Sequence, residues 1–211
     1  MPGLPAISYS MFMNGNPIWK LLLAADPEAT ARNSGAAYDA ATDKFIVPSF
    51  STELLVHRSA GTVASSSPFG ERLLTDFRDT FFLAAPAYLA YADGRPVSGK
   101  LIQPKSLSGG EIYRKGAHSL PLTRLAKWFT GRGNHFLAAG RKLGGEPLEY
   151  GDVSLRLYPF PCMPIHIILW HGDEEFPERA DLLFDTSSNG QFPPDVLWGV
   201  AVLCVELLCI K

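Results

Sequence analysis

The chain has 211 residues, a formal net charge of −2 at pH 7 and a hydrophobic fraction of 46%. A chain of this length buries enough apolar surface to fold around one core without disulfides or structural metal ions. Lysine and arginine are scattered along it, which argues against the dense basic surface that nucleic-acid binding requires.

The cysteines and the apolar segments indicate where the protein resides. Cys162, Cys204 and Cys209 follow no metal-ligand spacing and have apolar neighbours, so we expect reduced, buried thiols. The N-terminus lacks the basic segment and apolar run of a signal peptide. The longest apolar stretch, residues 196–205, has ten residues, against the ~20 that cross a bilayer. We therefore predict a cytoplasmic protein without a transmembrane segment.

Short elements and turns alternate in the first part of the chain. Residues 1–16 are rich in proline, glycine and asparagine and predict an N-terminal arm, whereas residues 17–211 form a single predicted domain. Apolar spacing predicts short helical segments within residues 17–31, and three short strands follow within residues 34–57. Residues 64–70, which include three serines, predict a loop.

The clearest helix follows that loop. Leu73, Phe77 and Phe81 recur at helical spacing and predict one continuous helix, which Pro86 should bend or end. Three further helices are predicted over residues 111–117, 120–129 and 135–143.

The hydrophobic period changes in the last third of the chain. Alternation predicts a strand over residues 153–158, and apolar runs predict strands over residues 165–170 and 180–184. Residues 194–210 predict a helix. The fold class is α+β: a single domain with short antiparallel or mixed strands at both ends of the chain, a group of helices between them and a buried apolar C-terminal helix.

Several glycine-containing segments, and above all Gly-Asp-Glu-Glu-Phe-Pro at residues 172–177, identify a family. The segments that carry the resemblance are residues 94–100, 109–113, 143–145, 151–152, 169–177 and 183–185. They resemble the family called domain of unknown function 3786, found chiefly in anaerobic bacteria and archaea. The resemblance extends from about Lys20 to the C-terminus.

The resemblance implies a single domain but brings no assigned activity. Some similar proteins carry an additional cysteine-rich segment of the kind that binds an iron–sulfur cluster. This chain has no such segment and only three cysteines. A link to redox or corrinoid metabolism is therefore implied only as a context, and no residue or cofactor is assigned to it.

One segment imitates a phosphate-binding loop. Gly94, Gly99 and Lys100 match the spacing of that motif, but Leu101 occupies the position of the magnesium-binding serine or threonine. A helix is predicted before the segment, where the motif requires a strand. We interpret residues 94–100 as a turn between a helix and a strand.

An acidic segment follows the predicted strand over residues 165–170. His171, Asp173, Glu174 and Glu175 offer enough oxygen and imidazole ligands for a divalent metal, or carboxylates for acid–base chemistry. The alternative is structural: Asp173 or Glu174 accepts backbone N–H bonds in an ordered turn while the remaining glutamates face water. If the neighbouring strands form a hairpin, Asp185 lies at its other end and belongs to a different site.

Two histidines lie in or beside the strand that precedes this acidic segment. His166 interrupts an apolar run, which is typical of a core histidine, and could pair with Asp185 across the predicted hairpin. His171 adjoins a glycine and is the better functional candidate. Either imidazole would suit the axial position of a tetrapyrrole.

The C-terminal helix has almost no polar face. Leu197, Trp198, Leu203 and Leu207 are our candidates for an apolar flank that a partner protein or a second copy of the chain covers. The absence of nucleophile motifs, together with this helix, favours a non-catalytic accessory or binding protein. The context that the resemblance implies is a subunit associated with a redox or cofactor-dependent enzyme complex of an anaerobe. The alternatives are a metal- or acid-dependent enzyme that uses the acidic segment, and a tetrapyrrole or small-ligand binder.

Overall fold

The computed structural model describes residues 16–111 and 119–210. The predicted N-terminal arm, apart from Asn16, lies outside the described residues, as does nearly all of the helix predicted over residues 111–117. The helices are α1 (Pro17–Ala24), α2 (Pro27–Ser34), α3 (Pro68–Asp76), α4 (Arg78–Tyr91), α5 (Leu122–Phe129), α6 (Gly133–Lys142) and α7 (Pro194–Cys209). The strands are β1 (Ala37–Asp39), β2 (Lys44–Ser49), β3 (Thr52–His57), β4 (Thr62–Ala64), β5 (Leu101–Ile102), β6 (Glu146–Leu148), β7 (Val153–Phe160), β8 (Met163–Trp170) and β9 (Arg179–Asp185). Short 3₁₀ turns occupy Pro104–Ser106 and Thr186–Ser188.

These elements confirm the α+β class. Strands β1 to β4 form one antiparallel sheet in chain order. The second sheet has the order β5-β9-β8-β7-β6, and all its neighbouring strands are antiparallel. Most helices lie between the two sets of strands in the sequence, as predicted, but β5 interrupts them. The β4 strand, on the border of a segment predicted to be a loop, completes the first sheet.

Local capping explains where the first helices begin and end. Asn16 and Asp26 are the N-caps of α1 and α2, and each carboxyl or amide oxygen accepts a backbone N–H within its helix. Proline occupies the first turn of both helices, where its missing N–H has no cost. Gly35 ends α2 in the left-handed conformation, with φ of 68°, which glycine adopts without strain.

The continuous helix predicted through Phe77 is wrong. Phe77 has φ of −126° and lies between α3 and α4, so the chain turns there although its apolar spacing continues. Pro86 does not end α4, which runs on to Tyr91 with that proline buried inside it. The same periodicity therefore serves two helices, because periodicity reports the buried face and not the continuity of the backbone.

A tyrosine connects helices to the second sheet. The Tyr88 hydroxyl donates to the Ser34 carbonyl and accepts a bond from the Cys162 N–H at 3.0 Å. Its ring stacks on Phe160 with centroids 4.6 Å apart. This buried contact joins α4 and α2 to the turn between β7 and β8, and it fixes the end of the hairpin opposite the acidic segment.

The C-terminal helix lies in the core. Nine of its residues are buried, including Val200, Ala201 and Cys204; it packs against α4, α5, α6 and β7. Cys204 is buried as expected, whereas Cys162 and Cys209 are half-buried, and none of the three cysteines forms a disulfide. In the part of the chain that the structure describes, every helix is too short or too polar to span a bilayer.

Candidate functional site

The β8–β9 hairpin positions the acidic segment. Seven of the eight residues of β8 are buried, and the eighth, Trp170, is half-buried at the end of the strand. Its cross-strand partner is Arg179, the first residue of β9. Residues 171–178 therefore connect the two strands at one end of the sheet, and the predicted hairpin is confirmed.

Residues 171–177 form an ordered turn, as predicted. The Asp173 carboxylate oxygen Oδ1 accepts the backbone N–H groups of Glu175 at 2.9 Å and Phe176 at 2.8 Å. The Asp173 N–H in turn donates to the Phe176 carbonyl at 2.9 Å. A Cβ atom on Gly172 would lie only 2.8 Å from the backbone nitrogen of Glu178. The turn closes tightly because residue 172 has no side chain.

The remaining carboxylates of the turn do not converge. Glu174 and Glu175 are exposed, and Glu178 is half-buried. Backbone N–H groups of Phe176 and Glu175 lower the pKa of Asp173. Within residues 16–111 and 119–210, no group of three His, Cys, Asp or Glu side chains is placed to hold a metal ion. The predicted backbone bonds to Asp173 are confirmed, and Glu174 and Glu175 face solvent, whereas Glu178 is half-buried.

A groove of about 700 Å³ opens beside this turn. We call it the aromatic groove; its lining residues are Asp152, Trp170, His171, Gly172, Asp173, Phe176, Pro177 and Arg179. Phe176 is 66% exposed, the largest exposed fraction among the large hydrophobic side chains of the described residues. Most of this aromatic side chain is therefore available for contact with a second molecule.

Strands β8 and β9 contribute Trp170 and Arg179 to the lining of the aromatic groove. The Arg179 guanidinium lies 4.6 Å from the centre of the Trp170 ring, in the geometry of a cation–π contact. The Trp170 Nε1–H donates to the Asp181 carboxylate at 2.8 Å, and the Arg179 guanidinium lies 4.0 Å from the same carboxylate. These contacts hold the indole ring of Trp170 at the groove and leave part of its surface exposed.

His171 lies on the aromatic groove, with its side chain exposed. Its backbone N–H donates to the Asp152 carboxylate at 2.6 Å, which joins the turn to the loop before β7. His171 also borders a second, smaller cavity at the start of α6, which Gly131 and Gly133 line. Of the four candidates in the acidic segment, His171 and Asp173 line the aromatic groove, whereas Glu174 and Glu175 do not.

Asp185 occupies the other end of β9, as the hairpin predicts. It is fully buried, and it accepts the Ser98 N–H at 2.9 Å, the Ser98 hydroxyl at 2.8 Å, the Gly99 N–H at 2.7 Å and the Ser187 N–H at 2.8 Å. The segment that imitates a phosphate-binding loop thus binds the protein's own carboxylate. Its interpretation as a turn between a helix and a strand is confirmed, since it joins α4 to β5.

Hydrogen bonds determine the charge state of Asp185. Burial raises the pKa of this carboxyl, but the hydrogen bonds from Ser187 and Ser98 outweigh burial and lower the pKa to about 2. A carboxylate with four donors has its acceptor sites occupied. Asp185 therefore stabilises the fold and is not available to a ligand.

The predicted pair between His166 and Asp185 is wrong. His166 faces Leu183 across the strand pair, and Asp185 bonds to the loop and Ser187 instead. The His166 ring is 5% exposed, and its Nδ1 has no hydrogen-bond partner among the described residues. Burial and the nearby Arg156 guanidinium lower its pKa, while Asp185 raises it. His166 is a core histidine and does not line the aromatic groove.

The structure corrects the candidate flank of the C-terminal helix. Leu197 and Leu203 are each 2% exposed and Leu207 is 7% exposed, because helices of the same chain enclose them. Trp198 is only half-buried, and the other half-buried positions of α7 include Val202 and Glu206. Glu206 forms an ion pair with Arg124 of α5. The three leucines are thus core residues and present no surface to a partner.

Sequence reasoning missed the aromatic side of the site. Trp170 enters the sequence predictions only as the last residue of the strand over residues 165–170, and Phe176 and Arg179 are not among the candidate site residues. The available signal was the order of residues: an aromatic residue ends a buried strand, and a second one interrupts a run of carboxylates. Neither pattern shows that Arg179 stacks on Trp170, because that contact depends on the register of the hairpin.

Comparisons with curated proteins and with solved structures find no match to this chain. The sequence profile described as domain of unknown function (DUF3786) matches residues 26–207. This range contains the hairpin, the aromatic groove, the loop that binds Asp185 and nearly all of α7. The chain therefore belongs to the DUF3786 family.

Proposed function

We propose that the chain is a non-catalytic binding protein that engages a partner protein through the aromatic groove. The observation that carries this proposal is Phe176, which is 66% exposed although the hydrogen bonds of Asp173 hold its backbone in an ordered turn. Single exposed apolar residues are common on protein surfaces. This one adjoins a half-buried indole and a proline on a groove, which is the composition of a binding surface.

The wider context of the proposal comes from the family. The sequence resemblance implied a redox context, and we extend the proposal to an accessory subunit of a redox or cofactor-dependent enzyme complex in the cytoplasm of an anaerobe. The metal-dependent alternative lacks support at the 171–177 turn, because one oxygen of Asp173 accepts two backbone N–H groups and Glu174 and Glu175 are exposed. The partner surface we first assigned to α7 is replaced by the aromatic groove, since the leucines of that helix are buried.

Site-specific photo-crosslinking tests the binding function. A benzophenone amino acid in place of Phe176 keeps an aromatic group on the turn, and the same replacement of Leu21 is the matched control, because Leu21 is 48% exposed on α1. In cells that produce the protein naturally, we expect one defined covalent adduct from position 176 and none of that mass from position 21. An adduct with twice the mass of the chain would identify a second copy as the partner. If position 176 gives no adduct, or gives the same adducts as position 21, the proposed function is wrong.

A small-ligand binder is the second candidate. The aromatic groove, at about 700 Å³, has the size of ligand pockets, and the exposed His171 supplies an imidazole on its wall. An absorption spectrum of the protein purified without oxygen tests this candidate. It predicts a bound chromophore that His171→Ala removes; a colourless protein that gives the crosslink from position 176 favours the partner protein.

A further inference from the structure

We infer that the aromatic groove receives a basic segment of the partner protein, with a lysine or arginine side chain against the exposed face of Phe176. This inference names the class of partner and rests on the proposed binding function. It follows from the distribution of charge around the groove and from the state of its aromatic side chains.

The turn is strongly acidic. Between His171 and Glu178 the chain has four carboxylates and no lysine or arginine. Asp173 remains ionised, since its backbone donors lower its pKa. Within the described ranges, no arginine, lysine or histidine side chain pairs with the carboxylates of Asp173, Glu174, Glu175 or Glu178. Four negative charges on eight consecutive residues create a local field that attracts cations and repels anions.

Arg179 lines the groove and contacts two residues of its own hairpin. Among the described residues that line the aromatic groove, Arg179 is the only lysine or arginine. Its guanidinium lies against Trp170 and near Asp181, and its charge is therefore partly balanced within the hairpin. The single arginine is outnumbered by the four carboxylates of the turn, so charge complementarity favours basic segments over acidic ones.

Phe176 supplies the apolar part of the same contact. A lysine or arginine over an aromatic ring gains attraction from the ring electrons, while its aliphatic stem packs on apolar surface. Trp170 already makes this contact with Arg179, 4.6 Å from the ring centre. Phe176, with glutamates on its N-terminal side and Pro177 beside it, offers a second ring for a cation from another chain.

Fluorescence polarisation with three synthetic peptides tests the inference. The labelled peptides have the same length and share one leucine, and they differ at three positions. These positions hold lysine or arginine in the basic peptide, glutamate in the acidic peptide and glutamine in the neutral peptide. We expect the basic peptide to bind more tightly than the glutamine peptide by about tenfold, and the acidic peptide to show no binding. Raising the salt concentration should weaken the binding of the basic peptide, because salt screens the attraction between exposed charges.

Paired variants locate the contact. We expect the affinity for the basic peptide to fall several-fold in two variants, the double variant Glu174→Gln/Glu175→Gln and the single variant Phe176→Ala. The matched control is Glu28→Gln/Glu53→Gln, which removes the same charge from exposed positions of α2 and β3. This control should leave binding unchanged. Equal binding of the basic and glutamine peptides would overturn the charge assignment. Equal loss in both double variants would show a general effect of net charge and would also overturn it.

The two proposals fail separately. If the crosslink from position 176 captures a protein but none of the peptides binds, the basic segment is wrong and the binding function stands. If position 176 gives no crosslink, the binding function itself fails, whatever the peptides do.

Discussion

Backbone N–H groups bind a carboxylate at each end of strand β9. Asp173 in the 171–177 turn accepts two backbone donors and is exposed, and its neighbours Glu174 and Glu175 face solvent. Asp185 accepts four donors and is fully buried. The two aspartates have the same chemistry and lowered pKa values, but only one lies in a groove.

The difference shows that burial and saturation of the acceptors, not residue type, decide the role of an acidic residue. At the Asp185 end every oxygen is occupied, so the carboxylate holds distant segments together. At the Asp173 end the turn is fixed by its own backbone bonds, and the charges beside it remain available. The predictions below test this contrast, starting from the largest expected effect.

Replacement of Asp185 should produce the largest loss of stability. Asp185→Ala leaves buried donors from Ser98, Gly99 and Ser187 without an acceptor, and we expect the free energy of unfolding to fall by about 3–5 kcal/mol. Urea denaturation followed by circular dichroism measures it. A loss below about 1 kcal/mol would mean that water replaces the carboxylate at little cost, and the contrast between the two ends would disappear.

Acid should remove the advantage of Asp185 over asparagine. The pKa of Asp185 is lowered from 3.8 to about 2 in the folded protein, so ionisation stabilises the fold above pH ~4 and this contribution is lost as the pH falls through 2. The shift corresponds to about 2 kcal/mol. The difference in unfolding free energy between wild type and Asp185→Asn should therefore shrink by that amount between pH 5 and pH 2. A difference independent of pH would place the stabilising effect in packing.

His166 should give a smaller pH effect of the same sign, at higher pH than that of Asp185. Its folded pKa is lowered by burial and by Arg156, so the unfolded chain takes up a proton first, and stability falls as the pH drops below about 6.5. Between pH 7.5 and 5.5, the unfolding free energy of His166→Gln should decline less than that of wild type. Parallel curves for the two proteins would show that the imidazole is hydrated.

Replacement at the turn should have the smallest effect on stability. Phe176→Ala removes a side chain that is 66% exposed, and we expect the urea midpoint to remain unchanged within error. Gly172→Ala is the informative comparison, because a Cβ atom there would lie 2.8 Å from the Glu178 nitrogen and should distort the turn. If Phe176→Ala unfolds the protein as readily as Asp185→Ala does, the ring is part of the core and not a binding surface.

The local features of the sequence predict much of this fold. Alternation and apolar runs place β7, β8 and β9, and Gly172 and Pro177 place the turn between them. The hairpin then predicts that Asp173 and Asp185 belong to different sites, as they do. These inferences succeed because strand pairing between neighbouring runs and tight turns depend on residues close in sequence.

The features that the sequence does not predict depend on distant contacts. Asp185 binds Ser98 and Gly99, which lie 87 and 86 residues away, so no spacing rule connects them. The apolar residues of α7 suggested a partner surface, but α4, α5 and α6 pack against this helix and Leu203 is buried. Whether an apolar flank faces the chain's own core or a second molecule depends on how the other helices pack.

The most direct test of the central contrast is the affinity of the basic peptide for two variants, Phe176→Ala and Asp185→Asn, each measured under conditions where the protein is folded. We predict that Phe176→Ala loses most of the affinity and keeps the wild-type urea midpoint, whereas Asp185→Asn keeps the affinity and has a lower midpoint. Loss of affinity in Asp185→Asn with wild-type affinity in Phe176→Ala would contradict the account, because it would place binding at the buried end of β9.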